Sequence, residues 1–317
     1  MIIQQLTPID VDEVFALQQK YAQVFPGAQV FPGELYLSPA FHAGQDVYCA
    51  YDGDRLLAYA PVYLQVVEDG SFELPNTAWV EIKADPDWGD ARAVKDELYR
   101  YILARTRELT AQFPDRPLRM SFQYKPSESA AIDYVQSKGF TYAESVYGME
   151  RRLADPIPNF PVPEGIELRL WEMENEADQL TYVKARNECF TEAPITLIEW
   201  QYFLSMTIGV TGTTIAAFEG EELVGNVSVY WHDKEIVQSG VKAGFTEFIF
   251  VRPGWQGRGI AKAMISEGMR YLKRNGLDLA RMEVRAENDR ALGVYKKLGY
   301  QVLNESRFYS KMFYEGP

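Results

Sequence analysis

Short apolar or alternating runs predict strands in this chain, and apolar residues three or four apart predict helices. The order of these patterns in the first half is typical of one α/β unit. It predicts a strand at 2–6, a helix at 11–21, a hairpin at 47–64, a strand at 79–82, a helix at 90–109, a strand at 118–122, a helix at 129–138 and further strands from 139 to about 153.

The second half repeats this order. The same patterns predict a strand at 166–170, helices at 177–190 and 198–206, a hairpin at 213–230, a strand at 248–251, a helix from 260 to 274, a strand at 279–285, a helix at 290–298 and further strands from 299. Two stretches also match residue by residue, Pro86–Trp88 with Pro253–Trp255 and Ser137–Phe140 with Lys297–Tyr300. A unit repeated in this way predicts a tandem chain.

The stretch between the two copies is rich in proline. From Asp155 it reads Asp-Pro-Ile-Pro-Asn-Phe-Pro-Val-Pro, and proline does not continue a helix or the interior of a sheet. This composition predicts an extended linker. We therefore predict a first domain over residues 1–153, a linker over 154–163 and a second domain over 164–317.

A glycine-rich turn in the second copy is the first candidate for chemistry. The apolar strand Phe248–Val251 is stopped by Pro253 and Gly254, and a helix is predicted from Ile260. The free amides and the dipole at such a helix start favour an anion, so the turn predicts a phosphate or pyrophosphate site. The nucleotide-loop pattern G-x-x-x-x-G-K-[ST] is absent, and Lys262 stands where a dinucleotide fold needs its third glycine.

A second motif follows the turn, and the two together point to one family. Asn288, Ala291, Tyr295 and Gly299-Tyr300 form the pattern N-x-x-A-x-x-x-Y-x-x-x-G-Y, with Ala291 and Tyr295 on one helix face. With Gln256-x-x-Gly259-x-Ala261, this resembles the GNAT acetyltransferase superfamily. The resemblance implies an α/β (α+β) fold with two tandem GNAT-like domains, each a mixed, largely antiparallel sheet flanked by helices. The layout is similar to that of the mycothiol synthases of this superfamily.

The same resemblance implies roles for individual residues. Acetyl-CoA is the implied co-substrate, and no metal is expected. Tyr295 is the implied general acid, and Glu247, or as a second choice Glu283, the implied general base. The implied residues for binding the cofactor are Phe250, Val251, Gln256, Gly257, Arg258, Gly259, Ile260, Ala261 and Asn288.

The first copy differs from the second at both motifs. Its matched turn carries three carboxylates, Asp85, Asp87 and Asp90, which would repel a pyrophosphate. Aligning Gly139 with Gly299 places Glu128 opposite Asn288 and Val135 opposite Tyr295. We therefore expect a degenerate copy without the CoA chemistry.

The composition limits the classes of partner that the chain is expected to bind. The formal net charge is −13 and the sequence pI about 4.8, which disfavours nucleic acid and anionic membranes and could attract a cationic amine. The chain start lacks the pattern of a signal peptide. The two cysteines and two histidines show no metal-ligand spacing, and the cysteine usage fits a reducing cytoplasm.

The sequence is compatible with three functions. The favoured one is transfer of an acetyl group from acetyl-CoA to a primary amine of a small molecule, with the site in the second domain. The alternative is a non-catalytic protein that binds acyl-CoA as a signal or structural ligand. A tRNA-dependent aminoacyl transfer is the third, and the acidic charge disfavours it.

Overall fold

A computed structural model describes residues 1–66, 75–113, 115–191, 194–206 and 210–313. The chain divides into two compact units. The first is formed by residues 1–145 together with the chain from Asn304 onward, and the second by residues 146–303. Each unit has its own hydrophobic core, one gathered around Leu98 and Phe122 and the other around Met264 and Met282.

The first half of the chain forms the predicted order of elements. They are β1 Ile2–Gln5, α1 Val11–Val24, the 3₁₀ helices Gly33–Leu37 and Pro39–Gly44, β2 Val47–Asp52, β3 Arg55–Gln65, β4 Asn76–Val80, β5 Lys83–Ala84, α2 Ala91–Thr110, β6 Leu118–Tyr124, α3 Ser129–Ser137 and β7 Thr141–Arg152.

The second half repeats this order of elements, with an additional helix directly after the second strand of the hairpin. Its elements are β8 Ile166–Leu170, α4 Glu176–Cys189, α5 Leu197–Met206, β9 Val210–Glu219, β10 Glu222–His232, α6 Asp233–Ser239, β11 Ala243–Val251, the 3₁₀ helix Pro253–Trp255, α7 Ile260–Arg274, β12 Leu279–Arg285, α8 Asp289–Lys297 and β13 Gln301–Phe313. The matched glycines Gly139 and Gly299 both have positive φ, +83° and +88°, just after α3 and α8.

Each unit is built on a mixed sheet. In the first, the strand order is β1-β2-β3-β4-β6 followed by residues 307–313 of β13, with β4 and β6 parallel. In the second, residues 146–152 of β7 begin the order β7-β12-β11-β10-β9-β8, with β11 and β12 parallel. The other pairs described within these orders are antiparallel. This confirms the predicted fold class.

The compact units do not end at the predicted boundaries of 153 and 164. Residues 146–152 pair with β12 of the second unit, and residues 307–313 pair with β6 of the first. Periodicity reports which residues form a strand but not which strand they will pair with. The end of each copy therefore could not be assigned from its pattern.

The proline-rich segment 154–163 contains no helix or strand and belongs to the second unit. Arg270 donates to Asn159 Oδ1 at 3.0 Å, and Ile157 and Phe160 pack on the core of that unit. Leu153, just before the segment, is 1% exposed. Residues 155–160 of the segment are therefore held in place by contacts within the second unit. Among the described helices, none is long and apolar enough to cross a membrane.

Candidate active site

Strand β11 carries a β-bulge at the point where the site begins. Asn226 of β10 pairs with Phe250 and Ser228 pairs with Glu247, so two residues of β11, Phe248 and Ile249, lie opposite one residue of β10. Phe248 takes the unusual φ of +50°. The fully buried Asn226 donates from Nδ2 to the Phe248 carbonyl oxygen at 3.0 Å. A bulge bends its strand and re-aims the residues that follow.

A glycine turn joins this strand to helix α7. Gly257 and Gly259 have φ of +82° and +93°, a region that side chains with a Cβ disfavour. Gly259 is the N-cap of α7 and has no side chain with which to satisfy the first amides. Met264 and Met269 bury the inner face of the helix in the core. The amides at the start of this packed helix therefore have no side-chain cap, and such a helix start favours an anion.

These elements enclose a cleft with a volume of about 250 Å³. It is formed by the end of β11, the glycine turn, the first turn of α7 and one side of α8. Its lining residues are Ile249, Phe250, Val251, Trp255, Gln256, Gly257, Gly259, Ile260, Ala261, Lys262, Asn288, Arg290, Ala291, Val294 and Tyr295. Both sequence motifs therefore meet at one cleft. Of the residues predicted for the site, Arg258, Glu247 and Glu283 are not among those that line it.

Two of the predicted site residues, Asn288 and Tyr295, reach the cleft from helix α8 and its N-cap. Asn288 is its N-cap and accepts a hydrogen bond from the Ala291 amide at 3.0 Å. Tyr295, seven positions and about two turns after Asn288, is only 8% exposed. Burial raises the pKa of its hydroxyl to about 12, so the group keeps its proton at neutral pH.

The side chains of Arg258 and Gln256 contact protein groups of the turn and its neighbours, whereas they were expected to bind the cofactor. Arg258 pairs with Glu219 at 3.1 Å rather than lining the cleft. The Gln256 amide donates to the Val251 carbonyl oxygen at 2.8 Å and accepts from Arg290 at 2.6 Å, so its side chain braces the turn. The cations that do line the cleft are Lys262 and Arg290.

Arg290 was not predicted as a site residue. It lies in the first turn of α8, two positions after Asn288. The only signal for it in the sequence was a basic residue beside that motif. Lys262 stands in the first turn of α7 and offers the same kind of signal.

The two candidate bases lie on neighbouring strands. Glu247 is on β11, and Glu283 is an exposed residue of β12. Burial raises the pKa of the Glu247 carboxyl, a hydrogen bond from the Tyr230 hydroxyl lowers it, and the charge of Glu283 raises it further. A carboxylate with a raised pKa is better suited to accept a proton near neutral pH. Tyr230, on β10, was missed by sequence reasoning.

The sequence also predicts that loops at 190–198 and 231–245 build the acceptor pocket, and the first of them is only partly described. Of the segment 190–198, residues 192 and 193 lie outside the described part of the chain. The segment 231–245, predicted as a loop, instead contains the end of β10, the helix α6 and the start of β11.

The matched region of the first unit is closed by its own side chains. Asp90 caps α2 by accepting from the Ala93 amide at 3.3 Å. Asp85 is buried and pairs with Lys20 and Arg55. The carboxylate of Asp90 thus occupies the helix start that an anion would need.

Comparison with known proteins identifies the family. Residues 170–300 match the model described as "Acetyltransferase (GNAT) family". A mycothiol acetyltransferase of Streptomyces scabiei is 30% identical over 302 residues, covering 93% of this chain and 89% of that protein. One from Streptomyces avermitilis is 27% identical over 297 residues, again covering 93% and 89%.

Solved structures share the fold along the whole chain. A GCN5-related N-acetyltransferase from Sphaerobacter thermophilus has a TM-score of 0.78 at 20% identity and covers 100% of this chain and 96% of its own. A tandem GNAT protein from the clavulanic acid biosynthesis pathway has a TM-score of 0.71 at 16% identity, with 98% of each chain covered. The predicted resemblance is confirmed. The chain belongs to the GNAT acetyltransferase family and is an N-acetyltransferase with two tandem GNAT units.

Proposed function

We propose that the second unit transfers an acetyl group from acetyl-CoA to a primary amine of a small molecule. The observation that carries this proposal is the single cleft at which the bulged strand β11, the uncapped start of α7 and the buried Tyr295 meet. This arrangement supports the assignment of an anion-binding site beside a proton donor.

The lining of the cleft fits acetyl-CoA. The amides at the start of α7 suit its pyrophosphate, and Lys262 and Arg290 add positive charge there. A Cβ built at Gly257 or Gly259 meets nothing within 4 Å, so the turn leaves room for a group close to its backbone. The end of β11 at Phe250 and Val251 suits the amide-bearing arm, which would add to the strand.

The reaction then divides between two side chains. When bound, acetyl-CoA supplies an activated thioester. Glu247 takes a proton from the acceptor ammonium, because the nitrogen needs a lone pair to attack. As the bond from nitrogen to the acetyl carbon forms and the bond from carbon to sulfur breaks, Tyr295 donates its proton to the departing sulfur. Its high pKa keeps that proton available until the thiolate forms.

The acceptor is expected to be a small amine. The acidic balance of the chain, −13, favours a cation in its neighbourhood. The relatives that cover most of the chain are named mycothiol acetyltransferases, so mycothiol-related amines are the first acceptors to test.

Thiol release from acetyl-CoA in the presence of a panel of primary amines tests the activity. We expect amine-dependent release of thiol and one new acetamide per thiol, identified by mass spectrometry. Tight binding of acetyl-CoA without turnover of any small amine or peptide would contradict the proposal and favour a binding protein.

Tyr295→Phe tests the assignment of the acid. Loss of the hydroxyl should lower kcat by about 100-fold, the usual contribution of a general acid, with little change in acetyl-CoA affinity. The matched control is Tyr271→Phe, which removes a hydroxyl from α7 on a residue outside the cleft lining. Unchanged turnover in Tyr295→Phe would remove the acid role.

A further inference from the structure

Tyr230 of β10 and Glu247 of β11 lie diagonally across the strand pair. Tyr230 is paired with Phe245, and Glu247 is paired with Ser228, so both side chains lie on the same face of the sheet. The Tyr230 hydroxyl donates to Glu247 Oε2 at 2.5 Å. That length is typical of a hydrogen bond to an ionised carboxylate.

The ring of Tyr230 is fixed on several sides. It stacks on Phe245 with 5.3 Å between the ring centroids and 21° between the planes. His232 meets it edge-on at 5.7 Å. On β9, a Cβ at Gly212 would lie 2.6 Å from the Tyr230 Cβ, so only glycine leaves room for this residue. The direction of the hydroxyl is therefore set by packing and not by Glu247 alone.

Two groups on neighbouring strands act on Glu247 in opposite senses. The charge of Glu283, on β12, disfavours ionisation of Glu247, as does burial. The Tyr230 hydroxyl, on β10, favours it. His232 contacts the ring of Tyr230, on the same strand. The Tyr230 hydroxyl thus offsets part of the increase in the pKa of Glu247 that burial and the charge of Glu283 cause.

We propose that Tyr230 is a positioning residue for acetyl transfer, which holds Glu247 as the proton acceptor and directs its Oε1 toward the amine. The hydrogen bond occupies Oε2. Tyr230 therefore acts through Glu247, and the inference rests on the proposed role of Glu247 as the base.

The pH dependence of kcat/KM for the amine distinguishes this role from a structural one. Loss of the hydroxyl in Tyr230→Phe keeps the stacked ring but raises the pKa of Glu247, so the acidic limb should move to higher pH by about one unit. Glu283→Gln removes the opposing charge and should move the same limb to lower pH. Tyr271→Phe is the control and should leave the limb in place.

A loss of rate in Tyr230→Phe that is equal at every pH, with the acidic limb unmoved, would overturn the inference. Acetyl-CoA affinity and the Tm of each variant show whether the fold is retained. Glu247→Gln separates the two proposals. If the rate and its acidic limb survive in Glu247→Gln, the base assignment itself fails. If Glu247→Gln loses them but Tyr230→Phe keeps the wild-type limb, only the role of Tyr230 fails.

Discussion

Single residues account for much of the chemical difference between units with the same order of elements. The N-cap of α7 is Gly259, whereas the N-cap of α2 is Asp90, whose carboxylate accepts from the helix itself. Where α8 carries Tyr295, the aligned residue of α3 is the fully buried Val135. The first unit thus keeps the packing of the helix but has neither the uncapped helix start nor a tyrosine at this position.

Asp85 of the first unit should contribute to stability in a pH-dependent way. Burial raises the pKa of its carboxyl, but hydrogen bonds from Arg55 and Lys20 outweigh this and hold it at about 2. Because the folded-state pKa lies below the unfolded value, the stabilisation is complete above about pH 4 and is lost as the pH falls toward 2. Asp85→Asn should lower the free energy of unfolding by about 2 kcal/mol at pH 7.

Urea unfolding at pH 7 and pH 3 measures the effect of Asp85→Asn. The difference from the wild type should shrink at pH 3. Asp87→Asn is the matched control, since its carboxylate also pairs with Lys20 but is 71% exposed. We expect Asp87→Asn to lower the free energy of unfolding by less than about 1 kcal/mol at either pH. An equal loss at pH 7 and pH 3 would show that the charge of Asp85 is not the cause.

The sequence motifs predicted which residues line the cleft better than they predicted which side chains form ion pairs and hydrogen bonds with each other. Nine of the residues inferred for cofactor and acid roles line it, because motif spacing fixes backbone position. Arg258 was predicted to help hold the pyrophosphate, yet it pairs with Glu219, 39 positions earlier. Tyr230 meets Glu247 only through strand register. Contacts between distant residues depend on tertiary pairing, which a local pattern does not contain.

At the scale of elements, the sequence predicted the strand, turn and helix of the site but not the bulge. The run Phe248–Val251 is apolar throughout and predicts an unbroken strand. The bulge places Phe248 at positive φ, and the buried amide of Asn226 holds its carbonyl. A polar residue in the middle of an apolar strand, as Asn226 is, was the available signal.

For folding and for acetyl-CoA binding, the backbone conformation at Gly259 should matter more than the space available for a side chain there. Cβ atoms at Gly254 and Gly259 would both meet open space, but only Gly259 has a positive φ, +93°. Gly259→Ala should therefore cost about 1 kcal/mol in folding and weaken acetyl-CoA binding by about tenfold, as the turn shifts to relieve the strain. Gly254→Ala adds the same methyl group without that strain and is the control. Equal KM values for acetyl-CoA in both variants would contradict this account.

At the scale of the molecule, the repeat was visible in the sequence and the unit boundaries were not. Both copies follow one order of elements, and that order was legible from periodicity alone. Residues 304–313 belong to the first compact unit because residues 307–313 pair with β6. The pairing of residues 307–313 with residues 118–124 spans more than half of the chain and leaves no local signal.

The duplication should yield one acetyl-CoA site per chain. In the first unit, Asp90 already satisfies the start of α2 and the carboxylates at Asp85 and Asp87 face Lys20, so an added pyrophosphate would meet like charge and a capped helix. Isothermal titration of the full chain with acetyl-CoA should give a stoichiometry of about one. Gly259→Asp, which brings a carboxylate to the start of α7, should abolish this binding, whereas Asp90→Ala should leave it intact. A stoichiometry of two, or saturable binding that survives Gly259→Asp, would place a working site in the first unit and overturn the view that its carboxylates exclude the ligand.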